Sequence, residues 1–81
     1  REKRYPRRAR ARGRQGVAVV RFTVTRTGEV AGARIDKGSG VRDLDRETLD
    51  MLDRAGRLPP IPNEIASDRL TFVFPVAFSL R

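Results

Sequence analysis

The chain has no cysteine, no histidine and no tryptophan in its 81 residues. Without cysteine it has neither disulfides nor a thiolate metal site, and without histidine it lacks the usual base near neutral pH. No apolar run approaches the ~20 residues needed to span a bilayer, and the N-terminus carries no signal-peptide core, so the chain reads as soluble. Its charged opening reads as the cut end of a longer protein. The ten carboxylates and few hydroxyls are not grouped by spacing around a pocket, and catalysis needs partners with mutually tuned pKa values. An enzyme is therefore not expected, and no catalytic residue, metal or cofactor is assigned.

What is present is organised around Val17–Thr25, VAVVRFTVT. Val20, Phe22 and Val24 alternate with Arg21, Thr23 and Thr25, the period of a strand with one face on a core. The unbroken apolar start adds that this strand is flanked on both edges. The net charge of +8 is concentrated elsewhere: residues 1–16 hold eight basic groups against Glu2, and the remainder is close to neutral. Basic arms bind phosphate backbones by counterion release. Nucleic acid is nonetheless not expected as a partner, because neither stacking aromatics nor a base-reading helix is apparent.

Taken in order, Pro6 suits the first turn of a short helix that runs to about Arg12 and stops at Gly13. A solvated basic linker is the other reading of this stretch. After the central strand, Gly28 supplies a hairpin turn, and the second strand reads VAGARIDK from Val30. Val30 is out of phase with Ala33 and Ile35, which predicts a bulge near Ala31–Gly32. The one strong helix spans residues 45–55, with Asp45 as N-cap and Gly56 at its end. Leu44, Thr48, Leu52 and Ala55 form its core stripe with Met51 beside them. Pro59, Pro60 and Pro62 make the following segment a stiff connector rather than a ligand for an aromatic groove.

The last stretch alternates most clearly, with Leu70, Phe72, Phe74, Val76, Phe78 and Leu80 on one face. Proline cannot donate to a ladder, so Pro75 marks this strand as a sheet edge with its missing N–H outward. N–H and C=O of one residue point to the same side and alternate along a strand. Arg69, Thr71, Val73, Ala77 and Ser79 therefore present their backbone groups to the open edge together with Pro75. The fold class predicted is α+β: a three-stranded antiparallel sheet in order 2-1-3, with a short N-terminal helix and one longer helix packed on one face. One domain covers 1–81, with 1–15 as basic arm and short helix and 16–81 as the α/β body.

Tyr5-Pro6 before a basic helix, Gly16 followed by VVRFTV, Gly28-Glu29-Val30, Lys37 to Gly40, Leu44-Asp45, Leu58-Pro59-Pro60 and the terminal FPVAFSL occur here in one order and spacing. In that combination the chain resembles the C-terminal domain of TonB, a periplasmic energy transducer. The resemblance implies a periplasmic binding domain of an inner-membrane-anchored protein, driven through an absent N-terminal part by an ExbB/ExbD-type motor. Its implied partner is the TonB box of an outer-membrane transporter for cargo such as siderophores, added as a strand to the last strand. The partner-peptide residues are then Arg69, Thr71, Val73, Pro75, Ala77 and Ser79. Contact is expected to be strongest from Arg69 to Val73, with Glu2, Lys3, Arg4, Tyr5 and Pro6 as additional partner contacts. An exposed edge also predicts a homodimer at high concentration. The alternative is a cell-wall or nucleic-acid binding module that uses the arginine-rich arm.

Overall fold

The alternation in Gly16–Thr25 becomes the middle strand of the sheet, with Ala18, Val20, Phe22 and Val24 all buried. The computed structural model describes residues 3–80. Its elements are α1 (Arg7–Ala11), β1 (Gly16–Thr25), β2 (Val30–Lys37), α2 (Arg42–Ala55) and β3 (Arg69–Phe78). The strands lie in the order β2-β1-β3 and both pairings are antiparallel. This is the α+β arrangement and strand order read from the sequence, and Pro75 does lie in an edge strand.

The hairpin between β1 and β2 closes with hydrogen bonds from Gly28 N–H to the Thr25 carbonyl and from Thr25 N–H to the Glu29 carbonyl, both 2.9 Å. Gly28 is required twice over. Its φ is +95°, and a Cβ there would stand 1.9 Å from the carbonyl oxygen of Leu58. That contact exists because the chain after α2 docks on the turn: Leu58 N–H donates to the Gly28 carbonyl at 2.8 Å, and Ile61 N–H donates to the Arg26 carbonyl at 3.1 Å.

The β1–β2 register shifts between Arg21 and Thr23, where Gly32 takes φ +62°. This is the bulge that the phase of Val30 and Ile35 demands, and it returns both to the face of Val24 and Val20. A second shift, between Val19 and Val20 near Asp36, was not anticipated. β1 and β3 pair without interruption from Gly16↔Phe78 to Thr25↔Arg69.

Helix α2 starts at Arg42, three residues earlier than expected, and Asp45 is not its N-cap. The cap residue is Val41, with no side-chain capping bond. Asp45 instead turns back and accepts the Ser39 N–H at 2.8 Å, which draws the Gly38–Gly40 loop against the first turn. The buried stripe is Leu44, Glu47, Thr48, Met51 and Leu52; Ala55, expected in the core, is exposed. The Thr48 hydroxyl is satisfied by the Leu44 carbonyl at 2.9 Å.

The helix also covers less of the sheet than expected. α2 packs on β1 and β2, because the short Gly38–Val41 turn brings it directly back over the strand it leaves. The helix-side face of β3 is covered at its ends by other segments. Tyr5 meets the Phe78 ring edge to face at 5.6 Å, and Leu58–Pro62 wall one side of Leu70 and Phe72. Phe72 and Phe74 therefore remain 44% and 37% exposed, although they flank the buried Phe22 at 5.6 and 5.9 Å between ring centroids.

Candidate functional site

β3 has β1 on one side and, among the described residues, no strand on the other. Arg69, Thr71, Val73, Pro75 and Ala77 stand opposite Thr25, Thr23, Arg21, Val19 and Val17. Their side chains share the face turned away from the helices, since the even-numbered partners are the core residues of β1. The Thr23 and Thr71 hydroxyls bond to each other at 3.0 Å across that face. Val73 is 47% exposed. Ser79 lies one residue beyond the end of the strand and is exposed.

The N-terminal residues gather at one end of this edge. The Lys3 ammonium donates to the Ala77 carbonyl and stands 5.1 Å over the Phe78 ring. Tyr5 packs on Phe78 and donates its hydroxyl to the Arg14 carbonyl. The Arg4 N–H donates to Glu47 at 2.9 Å, and Pro6 caps the start of α1. Glu2 lies outside the described residues. Lys3–Pro6 thus meet Ala77 and Phe78, roughly 13 Å along the strand from Val73 at ~3.3 Å per residue. They do not lie alongside Arg69–Val73.

Two roles that matter here escaped the sequence reading, which takes Glu47 only as a carboxylate favouring the dipole in the first turn of its helix; the first turn instead holds Asp43 and Asp45. Glu47 is a buried carboxylate between Leu44 and Met51, and it holds both the Arg4 amide and the Arg54 guanidinium. Burial opposes its ionisation, but the hydrogen bonds from Arg54 and Arg4 outweigh it and leave the pKa lowered. Its signal was the spacing 44, 47, 48, 51, 52, which is one helix face.

That of Arg26 is the second. Its guanidinium donates to the carbonyls of Ile61 and Pro62, both at 3.4 Å, and to those of Ile65 and Ser67. Carbonyls along a proline-rich segment lack a ladder partner, and only a guanidinium fork has enough donors to gather several of them. Arg26 thereby positions the connector that leads into β3. That connector and the strand enclose an apolar groove of about 220 Å³ between Ile61, Pro62, Leu70 and Phe72.

On the helix-free face Arg21 donates to both oxygens of Asp36 at 3.2 and 3.1 Å. Those hydrogen bonds lower the Asp36 pKa. The pair ties β1 to β2 and leaves β3 unencumbered. Among the described residues no group of acidic side chains could hold a metal ion, and no helix is long and apolar enough to cross a membrane.

Fold and edge together define a small α+β domain whose distinguishing surface is one side of a sheet rather than a cavity. Residues 1–80 match the family described as Gram-negative bacterial TonB protein C-terminal. The chain is 43% identical over 79 residues to Protein TonB of Pseudomonas putida, covering 96% of this chain and 32% of that protein. It is 40% identical over 60 residues to Protein TonB of Pasteurella multocida, covering 74% of this chain and 23% of that protein. Among solved structures it is similar to the Helicobacter pylori TonB C-terminal domain, with a TM-score of 0.82 at 29% identity, covering 99% of this chain and 71% of that one. The HasB C-terminal domain superposes with a TM-score of 0.61 at 39% identity, covering 98% of this chain and 61% of that one. The chain belongs to the TonB C-terminal domain family. It spans about a third of the Pseudomonas putida relative.

Proposed function

We propose that this domain is the periplasmic, partner-binding end of an energy transducer, and that it takes the TonB box of an outer-membrane transporter as an added strand on β3. The observation that carries the reading is the ten-residue strand β3, paired among the described residues on one side only. An extended peptide can supply donors and acceptors to such an edge whatever its side chains. With Pro75 directed outward, Arg69, Thr71 and Val73 offer an unbroken set of backbone groups on one side of it. On the other side the Ala77 carbonyl already carries Lys3. The peptide therefore engages Arg69–Val73 first and reaches Ala77 and Ser79 only by displacing that lysine. Pull from an inner-membrane motor of the ExbB/ExbD type, transmitted through the part of the protein that precedes this domain, would then act on the transporter through the added strand.

Five or six net backbone bonds at about 1 kcal/mol each, less the ordering of the peptide, place the affinity in the micromolar range. Titration of a TonB-box peptide into isotope-labelled domain is expected to shift the amides of Thr71 and Val73 before those of α2. Val73→Pro removes an edge donor and is expected to weaken binding about tenfold. Unchanged binding by that variant, with shifts confined to Arg7–Arg14, would replace strand addition by an electrostatic arm.

A further inference from the structure

Arg8, Arg12, Arg14 and Arg42 line one cleft of about 350 Å³ between α1 and the start of α2, with Asp43 the only carboxylate among its lining residues. None of the four guanidinium groups donates to a carboxylate or carbonyl among the described residues. Arg21 on Asp36, Arg26 on the connector and Arg57 on Glu29 are engaged elsewhere in the fold, and what sets the four cleft arginines apart from exposed ones such as Arg7, Arg10 and Arg46 is that they share one opening. The backbone that carries the cluster is held in place. Arg14 N–H donates to the Ala9 carbonyl at 2.8 Å, Gly13 turns the chain at φ +65°, and Tyr5 fastens the Arg14 carbonyl. Four like charges thus extend from a held backbone around one opening, with Asp43 the only countercharge among its lining residues.

We propose that this cleft binds a phosphate-bearing anion. Guanidinium forks pair bidentately with phosphate, and a phosphate has more terminal oxygens than the two of a carboxylate with which to serve several forks at once. The N-terminus of α2, which lacks a side-chain cap, adds its partial positive charge to the same opening. The register separates the cleft from the free run of the edge: Gly16, which follows α1, pairs with Phe78, whereas Val73 and Arg69 pair with Arg21 and Thr25, five and nine residues further on at roughly 17 and 30 Å. The anion and a strand on Arg69–Val73 can be held together, and the site does not depend on strand addition being correct. The phosphate can be a free polyphosphate or the headgroup of an anionic lipid.

The test follows the Gly40–Asp43 amides and the arginine Nε–H signals of the isotope-labelled chain during titration with inorganic pyrophosphate at low salt. Saturable shifts are expected at those groups, with Thr71 and Val73 unmoved. Arg8→Gln/Arg12→Gln is expected to weaken binding at least about tenfold, while the charge-matched Arg34→Gln/Arg46→Gln is not. Retention on phosphatidylglycerol vesicles but not phosphatidylcholine vesicles, competed by pyrophosphate, assigns the phosphate to a lipid headgroup. Saturation by pyrophosphate with no difference between the vesicles assigns it to a soluble anion. Equal loss in both double variants, or silence of Gly40–Asp43 toward both probes, overturns the proposal.

Discussion

The carboxylate of Glu47 accepts the backbone N–H of Arg4 at 2.9 Å, joining α2 to a segment 43 residues earlier in the chain. That one bond, with Tyr5 on Phe78, fixes where the N-terminal segment meets β3. The Glu47 pKa is lowered in the folded state. Its contribution is therefore fully present above the ordinary glutamate range near ~4.3 and is lost as the pH falls through the lower folded value. Acidification through and below the ordinary glutamate range is expected to free this segment before the sheet unfolds. Tyr5 is the chain's only tyrosine and reports the step by its fluorescence. Glu47→Ala is expected to cost about 1–3 kcal/mol and to abolish the acid step; an acid step that persists unchanged in that variant would refute the assignment.

At Gly28 the prediction follows from space and backbone together. Alanine there would meet the Leu58 carbonyl and hold a left-handed conformation. Gly28→Ala is expected to destabilise the domain by at least about 2 kcal/mol, a fall in Tm of roughly 8 °C or more. Thermal unfolding checks it. Gly40 has a similar φ of +89° but open space around its Cβ position, so Gly40→Ala is expected to cost less.

The two phenylalanines that meet across β1 and β3 test the partial cover of the sheet. Phe22 is buried and Phe74 is 37% exposed. Phe22→Ala is expected to cost roughly 3–5 kcal/mol, and Phe74→Ala about 1–2 kcal/mol. Equal losses, read by chemical denaturation, would mean that the β3 face is covered in solution.

The elements themselves were legible because their signals are local. Alternation in Val20–Val24, the phase break at Gly32 and the proline in β3 each state a backbone requirement that the surrounding chain does not alter. The start of α2 was misplaced because Asp45 has the chemistry of a cap but is used to hold Ser39. The exposure of Phe72 and Phe74 was not legible either, since alternation names a face but not how far a helix extends over it. Of the candidate site, the edge could be read from Pro75. The meeting of Lys3 with Ala77 could not, because it depends on Glu47 and Tyr5 acting across the fold.

That meeting also bears on self-association. An edge strand with unpaired backbone groups can pair with a copy of itself, and this one is guarded by the exposed Arg69 at its start, Pro75 within it and Lys3 on the Ala77 carbonyl. Arg69–Val73 is left as the run through which two copies can align antiparallel about a twofold axis. Two copies of a chain with net charge +8 repel each other, so the dimer is expected only toward millimolar concentration. Lys3→Ala unblocks Ala77, lengthens the usable edge and is expected to strengthen the dimer, whereas Val73→Pro removes a donor from the short run and is expected to weaken it about tenfold. Under the proposed function the same variant is expected to weaken binding of the TonB-box peptide, so dimer and peptide should compete, and added peptide should dissolve the dimer. Sedimentation equilibrium over a concentration series for the three proteins measures this directly. A dimer that Val73→Pro leaves intact and that the peptide does not disperse would have to form through another surface, and the edge would then not be the site of self-pairing.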